Sequence, residues 1–282
     1  MNGVNKIAMI GAGTMAEAMI AGLLNNQVVE AERLVASHPR AERAAELHER
    51  YGVTVVSDNA EAANDADVVV LSVKPQVVGQ VLEELHGRIK PGALVLSIAA
   101  GVSLARITAG LAHGAVVRSM PNTPARIGMG ITVWCASPAV TPDQLEQTRI
   151  ILSALGKEVF VDDEDYLDMA TALSGTGPAY VFLFMEALID AGVHMGFSRH
   201  VAEELVTQTV LGSVEFYVHQ ENHVSRLRNQ VTSPGGTTAE ALYYLERAGF
   251  RTALSRAVWA AYQRSVQLGS GKKRSLPGSN GE

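Results

Sequence analysis

The stretch from Lys6 to Ala16 constrains the fold of this chain more than any other. Lys6 to Ile10 is a short, mostly apolar run of the kind that forms a buried parallel strand. It ends in Gly11-Ala12-Gly13-Thr14-Met15-Ala16, after which Ala18, Met19, Ala21, Gly22 and Leu23 recur at helical spacing. Strand, glycine turn and helix in this order carry the G-x-G-x-x-A form of the dinucleotide fingerprint. Gly11 permits the tight turn, Gly13 lets a pyrophosphate reach the helix N-terminus, and Ala16 keeps helix and strand close. Lys6 followed by an apolar run also has the outline of a secretion signal, but Glu17 inside the run and the glycine spacing argue against one.

The same rhythm continues to about residue 161. A second strand, Arg33 to Ala36, ends where a site selective for NAD would carry an acidic residue for the adenosine ribose. The chain reads Ser37-His38-Pro39-Arg40 instead, with Arg43 following, which are donors and cations suited to a 2′-phosphate. NADPH is therefore the expected cofactor, with NADH possible; the alternative is a polar loop with Arg40 in solvent. Further strands are expected at Thr54 to Val56, Asp67 to Val73, Leu94 to Ile98, Ala115 to Ser119 and Lys157 to Val161. Lys74-Pro75 closes the Asp67 to Val73 run and places Lys74 at the carboxyl edge of the sheet, where ligands of open parallel sheets lie. Thr141-Pro142-Asp143-Gln144 reads as a capping box with proline at the first helical position. A doubly wound sheet follows.

From Asp162 strand signals stop and apolar residues recur at helical spacing to Leu268. Asp162 to Asp165 suits a helix start, Ser174 to Pro178 breaks the helical pattern, and Ser198 is a candidate N-cap. The fold class expected is α/β, a Rossmann-type dinucleotide-binding domain over 1–161, followed by an all-α region over 162–270 that pairs with its copy. Residues 271–282, rich in Gly, Ser and charge, read as a disordered tail. Hydrophobic residues at 47% against 18% charged exclude a disordered chain and point to apolar surface covered by a partner subunit. A formal net charge of -6 without a basic run in the body makes nucleic acid an unexpected partner. Tyr180 to Phe197, interrupted by Glu186, Asp190 and His194, is expected to be too polar to span a membrane. The single Cys135 excludes an intrachain disulfide, fits a reducing cytoplasm, and reads as a small buried apolar residue. Among eight histidines, His219 and His223 are four apart and able to share a helix face, but no metal site is expected.

The stretch Val231-Thr232-Ser233-Pro234-Gly235-Gly236-Thr237-Thr238 concentrates the remaining signal. Thr237 stands three residues before Glu240, a capping-box pattern that places a helix N-terminus there. Gly235 and Gly236 in front of it let a small anion such as a carboxylate approach the backbone; an ordinary cap and turn is the alternative.

Six motifs taken together resemble the pyrroline-5-carboxylate reductase family: Ile10 to Ala16, Val73-Lys74-Pro75-Gln76, Ala99-Ala100-Gly101-Val102, Met120-Pro121-Asn122-Thr123-Pro124, Ser174 to Tyr180, and Thr232 to Thr238. The resemblance covers roughly residues 5 to 268. It implies reduction of L-1-pyrroline-5-carboxylate to L-proline by NADPH or NADH, and a homodimer with interlocked helical domains, often assembled into larger rings. By position it puts cofactor contacts on Ala12, Thr14, Met15, Ser37, Pro39, Asn59, Val73, Lys74 and Ala100, beside Gly11, Gly13 and Arg40. Substrate contacts fall on Glu164, Ser233, Gly236, Thr237 and Thr238; Gln230 stands where many relatives have Asn. The chemistry is consistent with this: a helix N-terminus for the carboxylate with Ser233 as a further donor, the Thr238 hydroxyl for the imine nitrogen as the catalytic group, and Glu164 to accept from a protonated ring nitrogen. The closest rival, a 3-hydroxyacid reductase, uses a lysine from the helical domain, and this chain has none between Lys157 and Lys272. A non-catalytic NADP-binding sensor is the other alternative.

Overall fold

The computed structural model describes residues 3–269; the tail expected over 271–282 lies outside them. An eight-stranded sheet has the order β3-β2-β1-β4-β5-β6-β7-β8, with β1 Ile7–Ile10, β2 Leu34–Ser37, β3 Thr54–Val56, β4 Val68–Leu71, β5 Leu94–Ser97, β6 Val116–Met120, β7 Gly130–Ala136 and β8 Gly156–Phe160. The first six pair in parallel. Helices α1 Thr14–Asn25, α2 Ala41–Tyr51, α3 Asn59–Ala63, α4 Val78–Leu85, α5 Leu104–Leu111 and α6 Pro142–Ser153 connect the strands. Successive residues of a strand face opposite sides of the sheet, and both sides are covered here. Ile7 and Met9 pack with Met19, Ile20 and Leu23 of α1, while Ala8 and Ile10 pack on the other side with Val78, Leu82 and Leu85 of α4. That two-sided burial is why β1, β4 and β5 read as unbroken apolar runs rather than alternating ones.

The sheet is not uniformly parallel, as a simple doubly wound sheet would be. β7 runs antiparallel to β6, with Arg118 opposite Cys135, and β8 returns parallel to β7 at the edge. The sequence reading did not anticipate β7, because its buried positions are Gly130, Thr132, Trp134 and Cys135, which show no apolar alternation. The capping box at Thr141 and Gln144 forms as expected.

After β8 come α7 Tyr166–Ala170, α8 Gly177–His194, α9 Arg199–Val218, α10 Val224–Gln230, α11 Thr237–Arg247 and α12 Phe250–Gly269. Residues 3–176 and 261–269 form one compact unit and 177–260 a second. The helical texture that begins at Asp162 thus starts before the spatial division. Leu167 and Ala170 of α7 are buried in the first unit, and Asp168 is tied there to Arg118. The regular α-helical pattern is interrupted near the expected Ser174 to Pro178: α7 gives way to a π-helical turn at Thr171–Gly175, Thr176 is a bend, and α8 starts at Gly177. Ser198 caps α9, its hydroxyl accepting from Val201 N–H. His219 ends α9 and His223 caps α10, so the two share no helix face.

In the second unit α8 and α9 lie side by side, α8 is apolar over most of its circumference, and both expose large apolar side chains. Phe182 and Leu183 are 64% and 66% exposed, and Leu211, Val214, Phe216 and Tyr244 are exposed as well. The helical run Tyr166–His194 is long and apolar enough, by length and composition alone, to cross a membrane, contrary to the expectation that this part of the chain is too polar. Core helices of soluble assemblies meet the same measure.

Candidate active site

The glycine turn after β1 is built for close approach. Gly11 has φ +91°, and a Cβ there would collide with Val73 Cγ1. Gly13 is the N-cap of α1; no side chain caps that helix, and a Cβ at Gly13 would meet nothing within 4 Å. The N-terminus of α1 therefore faces open space with its first-turn N–H groups, at Thr14, Met15 and Ala16, available to an anion. This open cradle at the carboxyl edge of a parallel sheet fits a dinucleotide pyrophosphate.

Around the turn the strand ends are bonded to one another. Ala12 N–H donates to Ser37 O at 2.9 Å, and Gly11 N–H to Ser37 Oγ at 3.1 Å. Ser37 Oγ–H donates to Asn59 Oδ1 at 2.6 Å, and Ser72 Oγ lies 2.8 Å from Gly11 O. Gly11, Ala12, Ser37, Asn59 and Val73 thus come together at one edge. Lys74 is exposed just before the turn Pro75–Val77, and Ala100 is half-buried in the loop after β5. Pro39 and Arg40 are exposed, and Arg40 is the N-cap residue of α2 with no salt bridge among the described residues.

Arg43 is not free in the way Arg40 is. Its guanidinium bonds Glu17 and Glu46, and its Nε donates to Ala12 O at 3.3 Å, so it braces the glycine turn from α2. Burial alone would raise the Glu17 carboxyl, but hydrogen bonds from Arg43, Tyr51 and Arg50 hold it below the usual carboxylate range. His38 Nδ1 accepts from Arg40 N–H at 3.2 Å, and burial, aided by the charges of Arg40 and Arg43, pushes the imidazole below its ordinary value.

Glu164 sits in a charged cluster of the same unit. Arg118, 5% exposed on β6, donates to Glu164 Oε1 at 2.8 Å and to Asp168 Oδ1 at 3.3 Å. Leu104 N–H also donates to Glu164 Oε1, and the buried Ser265 of α12 donates to Asp168 Oδ1 at 2.6 Å. Glu164 Oε2 accepts no hydrogen bond among the described residues. Sequence reasoning missed Arg118, whose signal was a charge inside the otherwise apolar run Ala115 to Ser119. Burial pushes the neighbouring Cys135 thiol up to about 12.

The second unit carries the other substrate candidates. Helix α11 starts at Thr237, but its N-cap is Gly236 and no side chain caps it, so the expected capping box of Thr237 and Glu240 does not form. With glycine at the cap, Thr237 becomes the first helical residue, one position too late to cap. Gly235 takes φ +69°, and Gly236 N–H donates to Ser233 O at 3.0 Å, folding Ser233 back toward the helix start. Ser233, Gly236, Thr237 and Thr238 thereby gather at one helix N-terminus, and the three hydroxyls make no hydrogen bonds among the described residues.

A Rossmann-type sheet with an open pyrophosphate cradle, followed by a separate helical unit, defines a dinucleotide-dependent oxidoreductase. Residues 6–101 match the family model described as NADP oxidoreductase, coenzyme F420-dependent, and residues 164–268 match that described as pyrroline-5-carboxylate reductase dimerisation. The pyrroline-5-carboxylate reductase of Synechocystis sp. is 46% identical over 267 residues, covering 94% of this chain and 98% of the relative. That of Pseudomonas aeruginosa is 45% identical over 264 residues, covering 93% and 96%. The crystal structure of Plasmodium falciparum pyrroline carboxylate reductase with NADP bound superposes with a TM-score of 0.87 at 33% identity, covering 95% of this chain and 99% of that one. The chain belongs to the pyrroline-5-carboxylate reductase family.

Proposed function

We propose that the protein reduces L-1-pyrroline-5-carboxylate to L-proline, the last step of proline synthesis, with NADPH preferred and NADH accepted. Beside family membership, the observation that carries this reading is the uncapped N-terminus of α11, where Ser233, Thr237 and Thr238 offer unbonded hydroxyls. A cyclic imine acid presents one carboxylate and one nitrogen. The backbone N–H groups at Gly236 and Thr237, with Ser233, bind the carboxylate, and the helix dipole favours its charge. Thr238 Oγ1 hydrogen-bonds the ring nitrogen as its basicity rises during reduction. Glu164 Oε2 accepts from the protonated nitrogen while Oε1 stays held by Arg118 and Leu104 N–H.

The nicotinamide cofactor supplies the hydride; the protein supplies binding and orientation. Gly11, Ala12, Gly13, Thr14 and Met15 form the pyrophosphate turn, Val73, Lys74 and Ala100 the neighbouring edge, and Ser37, Pro39 and Asn59 the adenosine-ribose subsite. Arg40, exposed and without a salt bridge among the described residues, supports the preference for a 2′-phosphate. The protein acts as a homodimer through the exposed apolar faces of α8 and α9, with larger rings built from dimers. Such a partner covers these helices without a membrane. A chain with one cysteine and a net charge of -6 suits the cytoplasm and a small-molecule substrate rather than nucleic acid.

Replacement Thr238→Ala is expected to lower kcat/KM for pyrroline-5-carboxylate by roughly 10²-fold, in line with acid–base contributions. Steady-state kinetics on the folded variant check this, and unchanged kinetics would remove Thr238 from the reaction.

A further inference from the structure

Arg43, near the start of α2, has a partner for each nitrogen of its guanidinium. Nη2 bonds Glu17 in the first turn of α1, Nη1 bonds Glu46 one turn along α2 at 2.8 Å, and Nε donates to Ala12 O at 3.3 Å. The side chain is 14% exposed, and Glu17 is shared with Arg50 and Tyr51. The bond to Ala12 bears on the glycine turn. Ala12 C=O and Gly13 N–H belong to one planar trans peptide, so holding the oxygen toward α2 sets the direction of the N–H, which donates to Gly11 O at 2.9 Å. The other polar groups of the turn are engaged within the fold as well: Gly11 N–H with Ser37 Oγ, Ala12 N–H with Ser37 O, and Gly11 O with Ser72 Oγ–H. What is left for a ligand is the row of first-turn N–H groups at Thr14, Met15 and Ala16.

We propose that Arg43 is a positioning residue for the pyrophosphate common to both nicotinamide cofactors, and that it takes no part in binding a 2′-phosphate. By residue type alone it would suit that phosphate. A guanidinium that turns toward it, however, gives up a carboxylate or Ala12 O, and leaves a partly buried charge or carbonyl without its partner. Arg40, exposed and without a salt bridge among the described residues, meets no such cost. Arg43 also offsets the charge of Glu17, which would otherwise be balanced by the more exposed Arg50 alone, in the helix turn that receives the pyrophosphate. The inference rests on the reading of Gly11 to Ala16 as the pyrophosphate turn.

The test is calorimetric titration of NADP⁺ and NAD⁺, without substrate, into the full chain and into Arg43→Met, Arg43→Lys and Gly13→Val, each well below its Tm. Arg43→Met should weaken both dinucleotides by roughly tenfold, the size of one hydrogen bond to a charged group, and leave their affinity ratio within about twofold of the parent. Arg43→Lys keeps the charge without the planar fork, and should lose affinity for both by a smaller factor at the same ratio. A loss confined to NADP⁺ overturns the proposal and makes Arg43 a ligand of the 2′-phosphate. Unchanged affinities with a lower Tm overturn it too, since they mark a residue that only holds the fold. Should Arg43→Met not fold, the same two criteria apply to Arg43→Lys. Gly13→Val puts a side chain into the open cradle, where a Cβ meets no neighbour, so the fold should tolerate it. If it leaves both affinities intact, the pyrophosphate reading falls and this inference with it.

Discussion

Arg118 is a cation within a buried strand, and its worth to the protein depends on two carboxylates. Glu164 and Asp168 sit against it, and Ser265 extends the cluster to the end of α12. Removing one member of a buried ion cluster leaves the others uncompensated. Arg118→Met is accordingly expected to cost about 3 kcal/mol or more of unfolding free energy in denaturant titrations; a loss below ~1 kcal/mol would show that the cluster carries little stability. On the adjacent strand, the Cys135 thiol, buried and pushed up to about 12, should not react with an aromatic disulfide reagent at pH 8 until the protein is unfolded. Prompt labelling of the native protein would contradict that burial. At this scale the glycine turn at Gly11 and Gly13 and the helix start at Thr237 were legible, because each residue type has few uses at such a position. The contacts of Arg118 were not, since they depend on partners brought from distant parts of the chain.

In the proposed function, dinucleotide binding depends on the turn between β1 and α1. With φ +91° at Gly11 and Val73 Cγ1 where a Cβ would stand, Gly11→Ala must move either the turn or β4's following loop. A weakening of NADP⁺ binding by more than tenfold, together with a lower Tm, is expected from titration and thermal unfolding; unchanged affinity would show that the turn tolerates the shift. Strands buried on both faces were legible as apolar runs, and so were the caps at Thr141 and Ser198. The failures have local causes. β7 hides a glycine and a threonine at buried positions. At α11 the glycine before Thr237 takes the cap, and the threonine hydroxyls make no hydrogen bond among the described residues.

For the molecule as a whole, the chain divides its work between a sheet unit that holds a cofactor turn and a helical unit whose apolar faces are exposed in a single copy. The fingerprint and the change of texture near Asp162 made that division legible in outline. Its spatial boundary was not, because α7 and the end of α12 are held to the sheet unit by Leu167, Asp168 and Ser265. The central claim is that these parts serve one reaction, reduction of a cyclic imine acid by a nicotinamide cofactor. The most direct test mixes the purified protein with NADPH and L-1-pyrroline-5-carboxylate, follows the loss of NADPH absorbance, and measures proline in the same sample, with NADH run in parallel. The account predicts one proline formed per NADPH oxidised, at a higher kcat/KM than with NADH; dinucleotide binding with neither oxidation nor proline would contradict it and leave a sensor in place of an enzyme.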